Sequence, residues 1–117
     1  MINARSESIT EKPMFSRLAK NRRCVIIADG YFEWEKSNPK QKQPYFFRFP
    51  RSYEKFGEDK KKNKELIKME HAPMLFAGLY DIWKNKETEE VVFTCTILTV
   101  AADKTIEWIH DRMPAIL

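Results

Sequence analysis

Apolar residues in this chain fall into short runs separated by polar or turn-forming residues, the pattern of a strand-rich domain. Cys24-Val25-Ile26-Ile27-Ala28 is short and β-branched, which predicts a strand buried on both faces. Asp29-Gly30 allows a bend or bulge before Tyr31 to Glu35 continues in extended form. Ser37-Asn38-Pro39-Lys40 reads as a turn, and Tyr45 to Phe49 as a second strand ended by Pro50. Pro73 to Trp83 predicts a long aromatic strand, with Gly78 at a bulge or close backbone approach. Lys84 to Glu90 is a polar hairpin connection. Val91 to Val100 is the clearest strand, because Thr94 and Thr96 alternate with Cys95 and Ile97 and so suit a sheet with two unlike faces.

Helical signals are weaker. The first twenty residues read as loop with a short helical turn, Pro13 limiting any helix to its neighbourhood. Asp103 is placed to cap a helix from Lys104 to His110, with Ile106 and Ile109 on one face. His110-Asp111-Arg112-Met113-Pro114 stops it, and Ala115-Ile116-Leu117 begins another apolar segment. Four antiparallel strands with short peripheral helices predict a β-rich α+β domain, a curved sheet that closes towards a barrel or is covered to hide its apolar faces. The exposed edges such a sheet would leave suggest strands missing at both ends, so that residues 1–117 form a single partial domain.

Composition narrows this picture modestly. At 117 residues there is room for one core, and 43% hydrophobic with 13% aromatic content argues for a folded protein. A net charge of +4 and a pI near 9.1 favour an anionic partner, weakly a nucleic acid. Part of that charge lies in a Lys-rich insertion, residues 51–68, with Lys60-Lys61-Lys62 and Lys64. A solvated loop or short helix explains it more simply than a nucleic-acid patch. Cys24 and Cys95 sit in apolar runs without metal-ligand spacing, which reads as reduced, buried packing in a cytoplasmic protein. No metal and no cofactor is expected. Apolar runs fall far short of the roughly 18 residues a membrane span needs.

The candidate polar groups stand at element boundaries, where sheets present side chains to a cleft: Asn3, Arg5, Glu33, Thr99, His110 and Arg112. Glu33 lies among Tyr31, Phe32 and Trp34 and is either a partnered structural carboxylate or a working acid/base. His110 beside Glu33 would form an acid/base pair operating near neutral pH, with Asn3 orienting a carbonyl or amine. Taken alone, His110 reads more readily as a helix C-terminal residue favoured by the dipole than as a catalyst. Arg5 and Arg112 fork onto phosphates in one reading and pair with Glu7 or Asp111 in the other. Trp34, Trp83 and Trp108 read as core in preference to base-stacking platforms.

Five motifs occur in order: Asn3-Ala4-Arg5-Ser6-Glu7, Arg22-Arg23-Cys24, Ala28 to Trp34, Gln43-Pro44-Tyr45-Phe46 and Ile109 to Pro114. Together they resemble the SOS response-associated peptidase (SRAP) family, over nearly all of the chain outside the Lys-rich segment. The resemblance implies a compact β-rich, barrel-like fold that senses abasic sites in single-stranded DNA. It implies a cysteine at the mature N-terminus whose amine forms a Schiff base with the abasic-site aldehyde and whose thiol closes a thiazolidine, leaving a covalent DNA-protein crosslink. Asn3, Glu33 and His110 would then be catalytic: Asn3 positioning the amine and sugar, Glu33 shuttling protons in self-processing and ring closure, His110 assisting Schiff-base chemistry and reversal. Arg5 and Arg112, with Thr99, would hold the DNA. The family's Met-Cys-Gly-Arg start is absent and Cys24 falls in a strand, so this chain by itself is expected not to form the thiazolidine.

Two other readings remain. One is a non-catalytic module that binds single-stranded or modified DNA; the other is a structural β-domain in which Glu33 and His110 are ion-pair partners. If it acts on DNA, the protein is expected to be cytoplasmic and nucleoid-associated, with no membrane partner.

Overall fold

Pro13 begins a helix where the sequence pattern suggested that it would confine one. In the computed structural model, which describes residues 3–37, 40, 42–49 and 72–117, α1 spans Pro13–Asn21. Proline suits the first helical turn because its missing N–H would have no intrahelical acceptor there. Phe15 and Leu18, three residues apart, place their side chains on one face and are buried. They pack with Ala4 and Leu79, flanked by Ile9 and Leu98, so that α1 covers one face of the main sheet. Burial of a Phe or Leu side chain contributes roughly 1.5–3 kcal/mol, enough to hold a nine-residue helix that would be marginal alone.

The main sheet contains β1 (Asn3–Arg5), β2 (Arg23–Ala28), β5 (Met74–Lys84), β6 (Val91–Ala101) and β7 (Arg112–Pro114). Their order is β1-β6-β5-β2, with β7 also on β6. β5–β6 is the expected long hairpin, but β1 runs parallel to β6, so the sheet is mixed and not wholly antiparallel. β5 pairs with β6 only as far as Gly78 opposite Ile97. Beyond that point the segment from β7 to Leu117 enters between them: β7 pairs with Thr99–Ala101, the Ala115 amide donates to the Leu98 carbonyl, and the Ala77 amide donates to the Ala115 carbonyl. A second, two-stranded ribbon is formed by β3 (Tyr31–Trp34) and β4 (Pro44–Phe47). Among the described residues these two sheets do not close into a barrel, and the β-rich α+β class holds without the predicted closure.

Three further expectations change. β2 is not buried on both faces; burial alternates along it, and Val25 and Ile27 are exposed. Residues 104–109 are turns, because Asp103 accepts hydrogen bonds from the Thr105 amide and hydroxyl at 2.9 and 2.7 Å and closes a local turn in place of a helical cap. Cys95 is exposed and Cys24 only partly buried, and Trp34, Trp83 and Trp108 are each about half exposed, so none of these is a core residue. The Lys-rich insertion, residues 51–68, lies outside the described residues.

Gly30, between β2 and β3, sets the ribbon's position. A Cβ there would overlap the Phe47 carbonyl oxygen and come within 2.7 Å of the Phe46 ring. The ribbon is then tied to the sheet by Tyr31, whose ring stacks on Phe47 at 4.9 Å and meets the edge of Phe76 at 6.0 Å. At its other end Tyr45 meets Trp108 at 5.2 Å and Lys36 pairs with Asp111 at 2.6 Å.

Candidate functional site

Strand pleating brings the candidate residues to one face. Asn3 lies beside Ile97, and Arg5 beside Thr99, in the parallel β1–β6 register. Since alternate residues of a strand share a face, Asn3, Ile97, Arg5 and Thr99 form one patch. Tyr31 and Glu33 share the inner face of the ribbon by the same alternation, and both are half-buried. Between these surfaces lies a cleft of about 290 Å³, lined by Asn3, Tyr31, Phe32, Glu33, Ile97, Thr99, His110, Arg112, Met113 and Pro114.

Five of the six residues expected from sequence therefore line one cleft: Asn3, Glu33, Thr99, His110 and Arg112. Arg5 does not; it is exposed on β1, one pleat beyond Asn3. No cysteine lines the cleft among the described residues. Cys95 faces a larger groove of about 430 Å³ between α1 and the sheet, which holds none of the expected site residues.

His110 is held at Nδ1, which accepts from the Arg112 backbone amide at 3.0 Å. The Asp111 carboxylate lies 3.1 Å and the Arg112 carbonyl 3.2 Å from the same nitrogen. Asp111 is held ionised by the hydrogen bond from Lys36, which lowers its pKa, and more weakly by the neighbouring His110.

Arg112 is oriented more tightly than the sequence suggested. Its Nη1 and Nη2 donate to the two Glu7 carboxylate oxygens at 2.7 and 2.9 Å, and Nη2 also donates to the Thr99 carbonyl at 2.6 Å and hydroxyl at 3.2 Å. This bidentate pair pulls the Glu7 pKa down to about 2 and pushes that of Arg112 up. The Arg112 Nε is buried without a partner among the described residues. In the folded chain Arg112 pairs with Glu7, whereas Asp111 pairs with Lys36.

Tyr31 was missed from sequence as a site residue. Its pKa is raised, first by burial and then by the negative charge of Glu33, so its hydroxyl stays protonated as a donor beside that carboxylate. The signal was present, since Tyr31 and Glu33 sit two apart on one strand. On the ribbon's outer face Phe32, Trp34 and Phe46 are exposed, with Phe32 and Phe46 paired at 4.8 Å.

Comparison with known proteins places these features in a family. The sequence profile described as SOS response associated peptidase (SRAP) matches residues 1–117. The chain is 39% identical over 117 residues to the abasic site processing protein HMCES of Xenopus tropicalis, covering 98% of this chain and 34% of that protein. It is 38% identical over 118 residues to the abasic site processing protein YobE of Bacillus subtilis, covering all of this chain and 44% of that protein. A crystal structure of a protein from Bacteroides thetaiotaomicron superposes with a TM-score of 0.74 at 31% identity, covering 98% of this chain and 42% of that one. The chain thus spans less than half the length of the relatives it matches.

Proposed function

The chain belongs to the SOS response-associated peptidase family, and from that premise we propose that its cleft is the lesion-binding and proton-transfer surface of an abasic-site sensor acting on single-stranded DNA. One observation carries the reading. Asn3, Glu33, Thr99, His110 and Arg112, drawn from both ends and the middle of the chain, surround a single cleft beside an exposed aromatic strip.

The chemistry this surface supports is imine formation. A neutral primary amine adds to the aldehyde of a ring-opened abasic site, and the carbinolamine loses water to give a Schiff base. Proton donors and acceptors are needed at the nitrogen and at the departing oxygen. Glu33 is placed to accept the amine proton and return it to the leaving hydroxyl. His110, on the cleft wall with Asp111 beside its Nδ1, would assist Schiff-base chemistry and its reversal. Asn3 offers both a donor and an acceptor to the amine and the sugar hydroxyls. In the family chemistry the amine belongs to an N-terminal cysteine, whose thiol then adds to the imine carbon. The former C=N nitrogen takes up a proton, and a thiazolidine is left. Glu33 would also shuttle protons in the self-processing of the peptide chain that frees this amine.

Arg5 at the rim and Arg112 in the cleft supply positive charge for the backbone, and Phe32, Trp34 and Phe46 offer faces on which unpaired bases stack. Each stacked base contributes about 1–3 kcal/mol without sequence preference. No helix among the described residues is long and apolar enough to cross a membrane; nucleoid DNA in the cytoplasm is the proposed setting.

The test is an abasic single-stranded oligonucleotide presented to the natural gene product. A denaturation-stable adduct that is absent with an intact strand supports the sensor. Salt-sensitive binding without an adduct supports instead a non-catalytic DNA-binding module, which the exposed aromatic strip would also serve.

A further inference from the structure

Addition of an amine to an aldehyde drives negative charge onto the aldehyde oxygen, and a fixed donor at that oxygen lowers the barrier. Two side-chain hydroxyls line the cleft. That of Thr99 is tied to Arg112 Nη2 at 3.2 Å, whereas that of Tyr31 donates to nothing among the described residues. Alternation along β3 sends Phe32 and Trp34 outward, so Tyr31 and Glu33 share the inner face. The Tyr31 ring stacks on Phe47 at 4.9 Å and meets the edge of Phe76, itself only 2% exposed, at 6.0 Å. These contacts hold the ring, and with it the hydroxyl, in one place. The hydroxyl feels the Glu33 charge, which together with burial keeps it protonated.

The geometry points to Tyr31 as a catalytic hydrogen-bond donor: seated in the cleft two residues before Glu33 and locked by Phe47 and Phe76, its hydroxyl binds the aldehyde oxygen of the ring-opened abasic sugar. This rests on the proposed Schiff-base chemistry in the cleft. As the amine nitrogen bonds to the carbonyl carbon, the C=O π pair moves onto oxygen, where the Tyr31 O–H stabilises it. Glu33 carries the proton shed by the nitrogen to that oxygen, and water leaves as C=N forms. Tyr31 keeps its own proton throughout, so no later step has to restore it. The two side chains thus divide the work: Glu33 moves the proton, and Tyr31 holds the oxygen that receives it.

Tyr31→Phe in the natural gene product tests this, because it keeps both ring contacts and removes only the hydroxyl. Adduct formation is timed in a single turnover at saturating abasic single-stranded oligonucleotide, which separates chemistry from binding. Binding is read separately with a strand carrying a tetrahydrofuran site, which lacks the aldehyde oxygen and cannot react. Tyr31→Phe is expected to slow the adduct step on the order of a hundredfold. Its melting temperature and its affinity for the tetrahydrofuran strand should match the wild type. An unchanged rate, beside a wild type that forms the adduct, overturns the role of Tyr31 and leaves the proposed function standing. A wild type that forms no adduct overturns that function and this inference with it. A slower rate matched by weaker binding of the tetrahydrofuran strand, or by lost thermal stability, makes the hydroxyl a strand-binding or structural group and also overturns the inference. If Tyr31→Phe does not fold, 3-fluorotyrosine in place of Tyr31 decides. Its more acidic phenol is the stronger donor, so the rate at neutral pH should rise, and an unchanged or lower rate contradicts the role.

Discussion

Glu7 and Arg112 are 105 residues apart in sequence and meet in a two-bond fork at 2.7 and 2.9 Å, closing the cleft by joining the turn after β1 to β7. The pair makes the stability of this region depend on acid. Glu7 has its pKa lowered from 4.5 to about 2, so its contribution to stability is fully present above about pH 4.5 and is lost as pH falls towards 2. Asp81, Asp103 and Asp111 are also lowered, so the wild type alone cannot isolate the effect. Thermal unfolding of wild type and Glu7→Gln should differ at neutral pH, and their melting temperatures should converge between pH 4.5 and 2. A constant difference across that range contradicts the assignment.

Gly30 holds the ribbon in place by lacking a side chain. Gly30→Ala drives a methyl into the Phe47 carbonyl and the Phe46 ring, and is expected to destabilise by about 1–3 kcal/mol in urea denaturation. It should also displace Glu33, so activity should fall under conditions where the protein remains folded.

Leu79 tests the opposite face. It is 2% exposed in the cluster under α1, and Leu79→Ala is expected to cost about 2–5 kcal/mol. DNA binding by the folded fraction should be unchanged, because the cluster lies across the sheet from the cleft. A selective loss of binding at full folding would place the binding surface on the α1 face.

Lys36 and Asp111 connect the ribbon to the His110 turn at 2.6 Å. Both side chains are more than half exposed, so removal should change stability by no more than about 1 kcal/mol. Asp111→Asn removes a carboxylate 3.1 Å from His110 Nδ1, and under the proposed function is expected to lower the yield of adduct with abasic DNA more than melting temperature. Equal effects on both measurements would make the contact purely structural.

Much of the architecture is legible in local chemistry. Val91 to Val100 reads as a strand because Thr94 and Thr96 alternate with Cys95 and Ile97, and Pro73 to Trp83 because it is a long aromatic-rich run, and both are strands in the fold. What sequence spacing does not encode is partnership. Nothing local shows that β1 would pair in parallel with β6, or that the residues from Arg112 to Leu117 would part β5 from β6. Apolar character likewise did not imply burial: Val25, Ile27, Trp34 and Trp83 are apolar and exposed. The candidate residues were nameable from their boundary positions and motifs, but the Glu7–Arg112 fork appears only when both ends of the chain meet. Asp103 shows the same limit at short range, since a carboxylate that can cap a helix can equally close a turn on Thr105.

The most direct measurement is the intact mass of the natural gene product, and of its Glu33→Gln variant, before and after incubation with an abasic single-stranded oligonucleotide. The wild type should gain the mass of the oligonucleotide less water, and Glu33→Gln should gain little of it while still binding the strand in a salt-sensitive manner. A wild type that gains no mass, or a variant that reacts as fully as the wild type, would contradict the role given to the cleft.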